Sequence, residues 1–197
     1  MMKTLSRVYD TYGQASQVVT DLKAAGVPDS EISLVANKYV SAEYDDVDEH
    51  SATATGLGVG AALGGTGGLL AGLGIIAIPG VGPVVAAGWL AATLAGVIAG
   101  AAGGGVIGML VDAGASKEDA EVYSEAIRRG GTLVTVRTDD SRVSIVEAIL
   151  SRHKPIDPII RREEYSNAGW KGYDPAAKPY DLSEAERERI RASYRAM

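Results

Sequence analysis

Three regimes of hydrophobic and polar patterning follow one another along the chain. In the first, Lys3–Tyr9 predicts a strand. Ala15, Val18, Val19, Leu22 and Ala25 then fall on one face of a helix over Gln14–Ala25, which Gly26 stops, and Glu31–Ala36 predicts a second strand. In the second, Ser51 to Val111, 61 residues pass without a single charged side chain. In the third, Ser116 is placed to cap a helix that runs to Arg129, with Ala120, Tyr123 and Ile127 inward and Gly130-Gly131 as its stop. The β-branched run Thr132–Thr138 predicts a strand. Asp139 or Asp140 is expected to cap a further helix through Leu150, with Val143, Val146, Ile149 and Leu150 inward, and Ile156–Arg161 a last short strand despite Pro158.

The uncharged run organises the sequence. It holds 18 of the 25 glycines, and they are in register. Gly56, Gly60, Gly64, Gly68 and Gly72 recur every fourth residue, and so do Gly88, Ala92, Gly96, Gly100, Gly104 and Gly108. Such spacing lines small residues along one face of a helix. Pro79-Gly80-Val81-Gly82-Pro83 separates the two ladders, which predicts helices over Ala54–Ile78 and Val84–Val111 joined as a glycine-zipper hairpin. Glycine inside a helix costs about 0.8–1.0 kcal/mol relative to alanine, so a packed partner must offset it. A membrane-inserted or membrane-associated hairpin meets that need, and so does a soluble assembly in which hairpins bury one another. The acidic approach (Glu43, Asp45, Asp46, Asp48, Glu49) and exit (Asp112, Glu118, Asp119, Glu121) lack the Lys and Arg expected at cytoplasmic membrane ends. A flexible insert is disfavoured, because disordered segments are polar.

Composition narrows the chemistry. A net charge of −6 argues against nucleic acid as a partner. There is no cysteine, and His50 and His153 are the only histidines, which leaves no basis for a thiolate site or a histidine-based metal site. The acidic stretch around Asp46 and Asp48 lacks the central glycine of a calcium loop and reads as a solvated linker. Gly72-Leu73-Gly74-Ile75-Ile76-Ala77 matches a loose dinucleotide-binding pattern by glycine density alone, since no acidic residue follows at the required distance. No catalytic residue, cofactor or metal is therefore expected, and the chain reads as no enzyme.

Lys23-Ala24-Ala25-Gly26-Val27-Pro28, the glycine-rich insert, and the stretch from Gly114-Ala115-Ser116-Lys117-Glu118-Asp119-Ala120 through Tyr123 to Gly130-Gly131-Thr132-Leu133-Val134-Thr135-Val136 resemble the bacterial general stress protein family with a heat-induced stress protein, 17M-like domain. The resemblance covers roughly residues 3–140. It implies a ferredoxin-like domain interrupted by a glycine-zipper segment, and a stress association. It brings no catalytic residue.

The expected organisation is α+β. A ferredoxin-like α/β sandwich begins in residues 1–50, is interrupted by the helical hairpin over 51–111, and resumes over 112–161. Residues 162–197 form an arm, with Ser183 and Glu186 as a capping box that opens a short arginine-bearing helix. Trp170, Tyr173 and Tyr180 are its candidate docking anchors, on its own domain or a neighbouring subunit; a solvated end and contact with membrane headgroups are the alternatives. The expected partners are further copies of the chain and, for a lipid-facing hairpin, the membrane. The α/β domain is expected in the cytoplasm, at the inner membrane or within a soluble assembly. If the ladders carry self-association, Gly64→Leu or Gly100→Leu disrupts it, read as loss of the oligomer in native mass spectrometry; an unchanged oligomer would count against the ladder.

Overall fold

The computed structural model describes residues 2–37, 74–78, 80–90, 105–112, 114–178, 180, 183–186 and 188. Within them the chain forms β1 (Met2–Tyr9), α1 (Tyr12–Ala24), β2 (Ile32–Asn37), β3 (Gly74–Ile78), β4 (Gly82–Ala87), α2 (Gly105–Asp112), α3 (Lys117–Arg128), β5 (Thr132–Asp139), α4 (Val143–Arg152) and α5 (Pro158–Asn167). Local chemistry fixes most of the ends. Thr11 and Gln14 form a capping box at α1: the Gln14 amide donates to Thr11 Oγ1 and the Thr11 amide to Gln14 Oε1. Beyond α1 the chain reverses at Gly26, whose φ of +80° suits glycine. Ser116 caps α3 by accepting from the Asp119 amide at 3.0 Å, as its position in the sequence predicts.

All five strands join one antiparallel sheet in the order β1-β5-β2-β4-β3. β5 pairs antiparallel with β1 and with β2, so β1 and β2 run parallel with β5 between them. By the same logic β4 and β5 run parallel with β2 between them. These are two interleaved split β-α-β units. A ferredoxin-like sheet of four strands has its first and third in the middle; here β5 and β2 hold the centre, and β3 is added outside β4. The α+β class stands, and the expected strand order does not.

Both sheet faces are covered. On one, α1 and α4 bury Ala15, Val18, Val19, Leu22, Val146, Ile149 and Leu150 against Ile32, Leu34, Val134 and Val136. On the other, α3 buries Ala120, Val122, Tyr123 and Ile127 against Val8, Val35 and Leu133, with Met109 and Leu110 of α2 and Tyr165 of α5 in the same cluster. Burial of this apolar area, at about 25 cal/mol per Å², is the main stabilising force. The buried Tyr9 hydroxyl donates to the Leu150 carbonyl at 2.8 Å, and desolvation pushes its pKa well up.

The uncharged run departs most from expectation. Gly74–Ile78 and Gly82–Ala87 are strands of a β-hairpin, where helices over Ala54–Ile78 and Val84–Val111 are expected. Ile75, Ile76, Ile78, Val84 and Val85 explain it. β-branched residues favour strands, and a short glycine-bearing turn between two such runs favours a hairpin. The turn closes through the Val81 amide donating to the Ile78 carbonyl at 3.1 Å, with Gly80 at φ +73°. Of the second expected helix, Trp89, Leu90 and residues 105–111 of α2 are helical among the described residues. Two smaller corrections follow. Ile156–Arg161 is no strand: Asp157 accepts from the Ile159 and Ile160 amides and, with Pro158 in the first turn, starts α5. Neither Asp139 nor Asp140 caps α4; Asp139 closes the preceding turn by accepting from the Ser141 amide, and Arg142 stands at the cap.

α1 and α4 are also joined at their ends by Asp21, whose carboxylate lies 2.9 Å from His153 Nε2 and 3.2 Å from Arg152 Nη1. The hydrogen bond to His153 is the largest cause that holds the Asp21 pKa below its ordinary value. A carboxyl with a depressed folded-state pKa adds stability above its unfolded value of about 3.9, and that stability is lost as pH falls through the lower folded value. Wild type should therefore exceed Asp21→Asn in urea midpoint at pH 5, and the gap should close toward pH 3. A gap that does not narrow would mean that this carboxylate is not the linked group.

Candidate functional site

Two groups of residues bear on function: the glycine positions of the uncharged run and the aromatic positions of the arm. Of the ladder, Gly56, Gly60, Gly64, Gly68, Gly72, Ala92, Gly96, Gly100 and Gly104 lie outside the described residues. Gly88 does not belong to a helical ladder. It turns the chain at the end of β4 with φ +80°, and a Cβ there would stand 2.3 Å from the Ile32 carbonyl oxygen. Glycine is required because the chain crosses directly over the start of β2. Leu90 follows, buried, with its amide donating to Ser33 Oγ at 3.1 Å. Gly108 sits in α2, where a Cβ would meet nothing within 4 Å. Among the described atoms it therefore shows no close backbone packing.

The aromatic positions converge on the C-terminal end of α3. Glu125 is only 5% exposed and carries two arginines. Arg128 donates through Nε and Nη2 at 2.7 and 2.9 Å, and Arg129 through Nε at 2.6 Å. The cations in turn face aromatic rings. Arg129 lies 4.4 Å from the ring centre of Tyr165 and 5.0 Å from that of Tyr180, and Arg128 lies 5.3 Å from Tyr180. Arg128 also donates to the Lys178 carbonyl at 3.1 Å. Tyr180 donates to Glu186, which caps the Ser183 turn: the Ser183 amide donates to Glu186 Oε2 at 2.8 Å, as the capping box predicts. Trp170 packs edge-on to Tyr165 at 6.0 Å, and Trp170 and Tyr173 lie half-buried against the core.

The arm thus runs along α3 and reaches the β3–β4 turn. A Cβ at Gly80 would come within 2.2 Å of the Asp174 carbonyl oxygen, so the turn and the arm meet backbone to backbone. A cleft of about 340 Å³ lined by Gly80, Glu121, Arg128, Trp170, Tyr173 and Asp174 lies along this contact. A second, of about 480 Å³, lies between Thr11, Arg129, Arg161, Tyr165 and Glu186. Arg161 there is paired with Asp10 and Glu164. Burial pushes the Tyr165 hydroxyl up to about 12, so it stays protonated at neutral pH. Among the described residues no three His, Cys, Asp or Glu side chains gather as a metal would need, and none of the helices is long and apolar enough to cross a membrane.

Chemically the arrangement is a latch. Glu125 is consumed by its arginines, and the arginines are stacked on the arm. Sequence reading finds Trp170, Tyr173 and Tyr180 but misses Glu125, Arg128 and Arg129, since charge on a helix ordinarily marks a solvated face. The pair of adjacent arginines three and four residues after a glutamate is the one signal available beforehand. Comparison with protein-family models, curated proteins and solved structures yields no match. Removing the buried carboxylate that pairs two part-buried cations costs about 1–3 kcal/mol, less than breaking a fully buried ion pair. Glu125→Ala should lower unfolding stability by that order and speed tryptic cleavage after Lys171. Cleavage at the wild-type rate would mean that Glu125 does not hold the arm.

Proposed function

We propose that the protein is a non-enzymatic self-association module, in which the uncharged segment joins copies of the chain into a soluble homo-oligomer. The observation that carries this reading is the place the segment takes in the fold. Its middle is built into the sheet as β3 and β4, and its end into the core as α2, with Ile78, Val81, Val84, Leu90, Met109 and Leu110 buried. The rest of a 61-residue stretch with no charge is thereby mounted on a domain that bears the whole net charge of −6. Further copies are the apolar surface nearest to hand, and closed symmetric assembly is the usual way such surface is hidden.

The membrane alternative draws less support. A hairpin that enters a bilayer needs its tip, near Gly80–Gly82, free of the domain. Here that tip joins β3 to β4, β4 pairs with β2, and the arm packs on the turn. The acidic flanks point the same way. The family resemblance over Lys23–Pro28 and Gly114–Val136 extends the proposal to a stress-associated role in the cytoplasm. Cells lysed and fractionated without detergent should hold the protein in the supernatant, as a particle of several times 20.4 kDa by light scattering. A monomer, or recovery with the membrane pellet, overturns the proposal.

A further inference from the structure

The two edges of the sheet differ in kind. An edge strand exposes a row of unpaired backbone donors and acceptors, and proteins guard it with charge, proline, bulges or covering chain. β1 is guarded in this way. It carries Lys3, paired with Asp140, and Arg7, paired with Glu147. The chain after α4 also crosses its outer side, where the Ile156 amide donates to the Val8 carbonyl at 2.8 Å. β3, at the other edge, pairs with β4 along all five of its residues and, among the described residues, with nothing on its outer side. Its sequence, Gly-Ile-Ile-Ala-Ile, holds no charge and no proline.

Resting on the self-association reading, we propose that the outer edge of β3 is the pairing surface between copies, with β3 of one chain antiparallel to β3 of a second. Two arguments choose this occupant. First, an uncharged strand with β-branched residues complements itself, and two antiparallel copies give the isologous contact of a twofold dimer. Second, copies that each carry −6 repel one another, and the uncharged edge is where they approach at least cost. The hairpin is held ready for this. β4 is paired to β2, and the arm backbone at Asp174 sits on the turn at Gly80. Pairing continues the sheet across the two chains, from five strands to ten.

Ile76, at the centre of β3, lies opposite Ile76 of the second copy when the pairing is centred on the strand. The test uses full-length Ile76→Lys and Ile76→Glu, each alone and mixed one to one, with assembly followed by analytical ultracentrifugation over a dilution series. Like charges opposed across paired strands should raise the half-assembly concentration by about fivefold or more in each variant alone, and mixing should bring it back toward wild type. Two results overturn the proposal while leaving self-association in place: both variants assembling as wild type does, or a mixture no better than its parts, which assigns the loss to folding. A wild-type chain that stays monomeric at every concentration removes the underlying reading instead.

Discussion

The insertion of β5 between β1 and β2 is the constraint on which the rest of the molecule turns. Once β5 pairs with both, over eight positions on one side and five on the other, the centre of the sheet is filled. The β-hairpin made from the uncharged run has only the outside of β2 left to it. α1, which joins β1 to β2, lies on one face together with α4, and α3, which leads into β5, lies on the other. The strand left at that edge, β3, carries no charge.

The arm is the second consequence. α3 lies along the face where Asn37, at the end of β2, donates to the carbonyls of Ile127 and Arg128. This closes the C-terminal end of α3 and fixes Glu125 in a nearly dry position. A buried carboxylate is costly unless it is paired, and Arg128 and Arg129 supply the pairing. Their guanidinium planes then offer the platforms on which Tyr165 and Tyr180 rest. Folding of the core, neutralisation of Glu125 and docking of the arm form one connected set, and Asp174 extends that set to the β3–β4 turn.

Where a local signal stood alone, it could be read from sequence. Ser116, Gly26 and the Ser183–Glu186 box each act through one or two nearby backbone groups, and each stands where the sequence places it. Where two signals competed, the sequence misled. On either side of Gly72–Gly88 a period of four in small residues argued for helices extending into it, while Ile75, Ile76, Ile78, Val84 and Val85 argued for strand. The strand signal prevails because β2 offers a partner edge that no local pattern reveals. Asp157-Pro158 is a helix start that a strand reading of Ile156–Arg161 obscured.

By itself, then, the sequence determined the alternation of helices and strands outside the uncharged run as far as Leu150, the faces of α1, α3 and α4 that point inward, and the presence of a segment that water does not favour. These follow from periodicity, capping and transfer energies, which depend on neighbours a few residues away. Only the tertiary structure decided the order of the strands, the conversion of the run's middle into a sheet edge, the crossing at Gly88 and the convergence of Glu125, Arg128, Arg129 and Tyr180. Each of those depends on pairings between residues tens of positions apart, and such pairings are selected by the global fit of edges and faces.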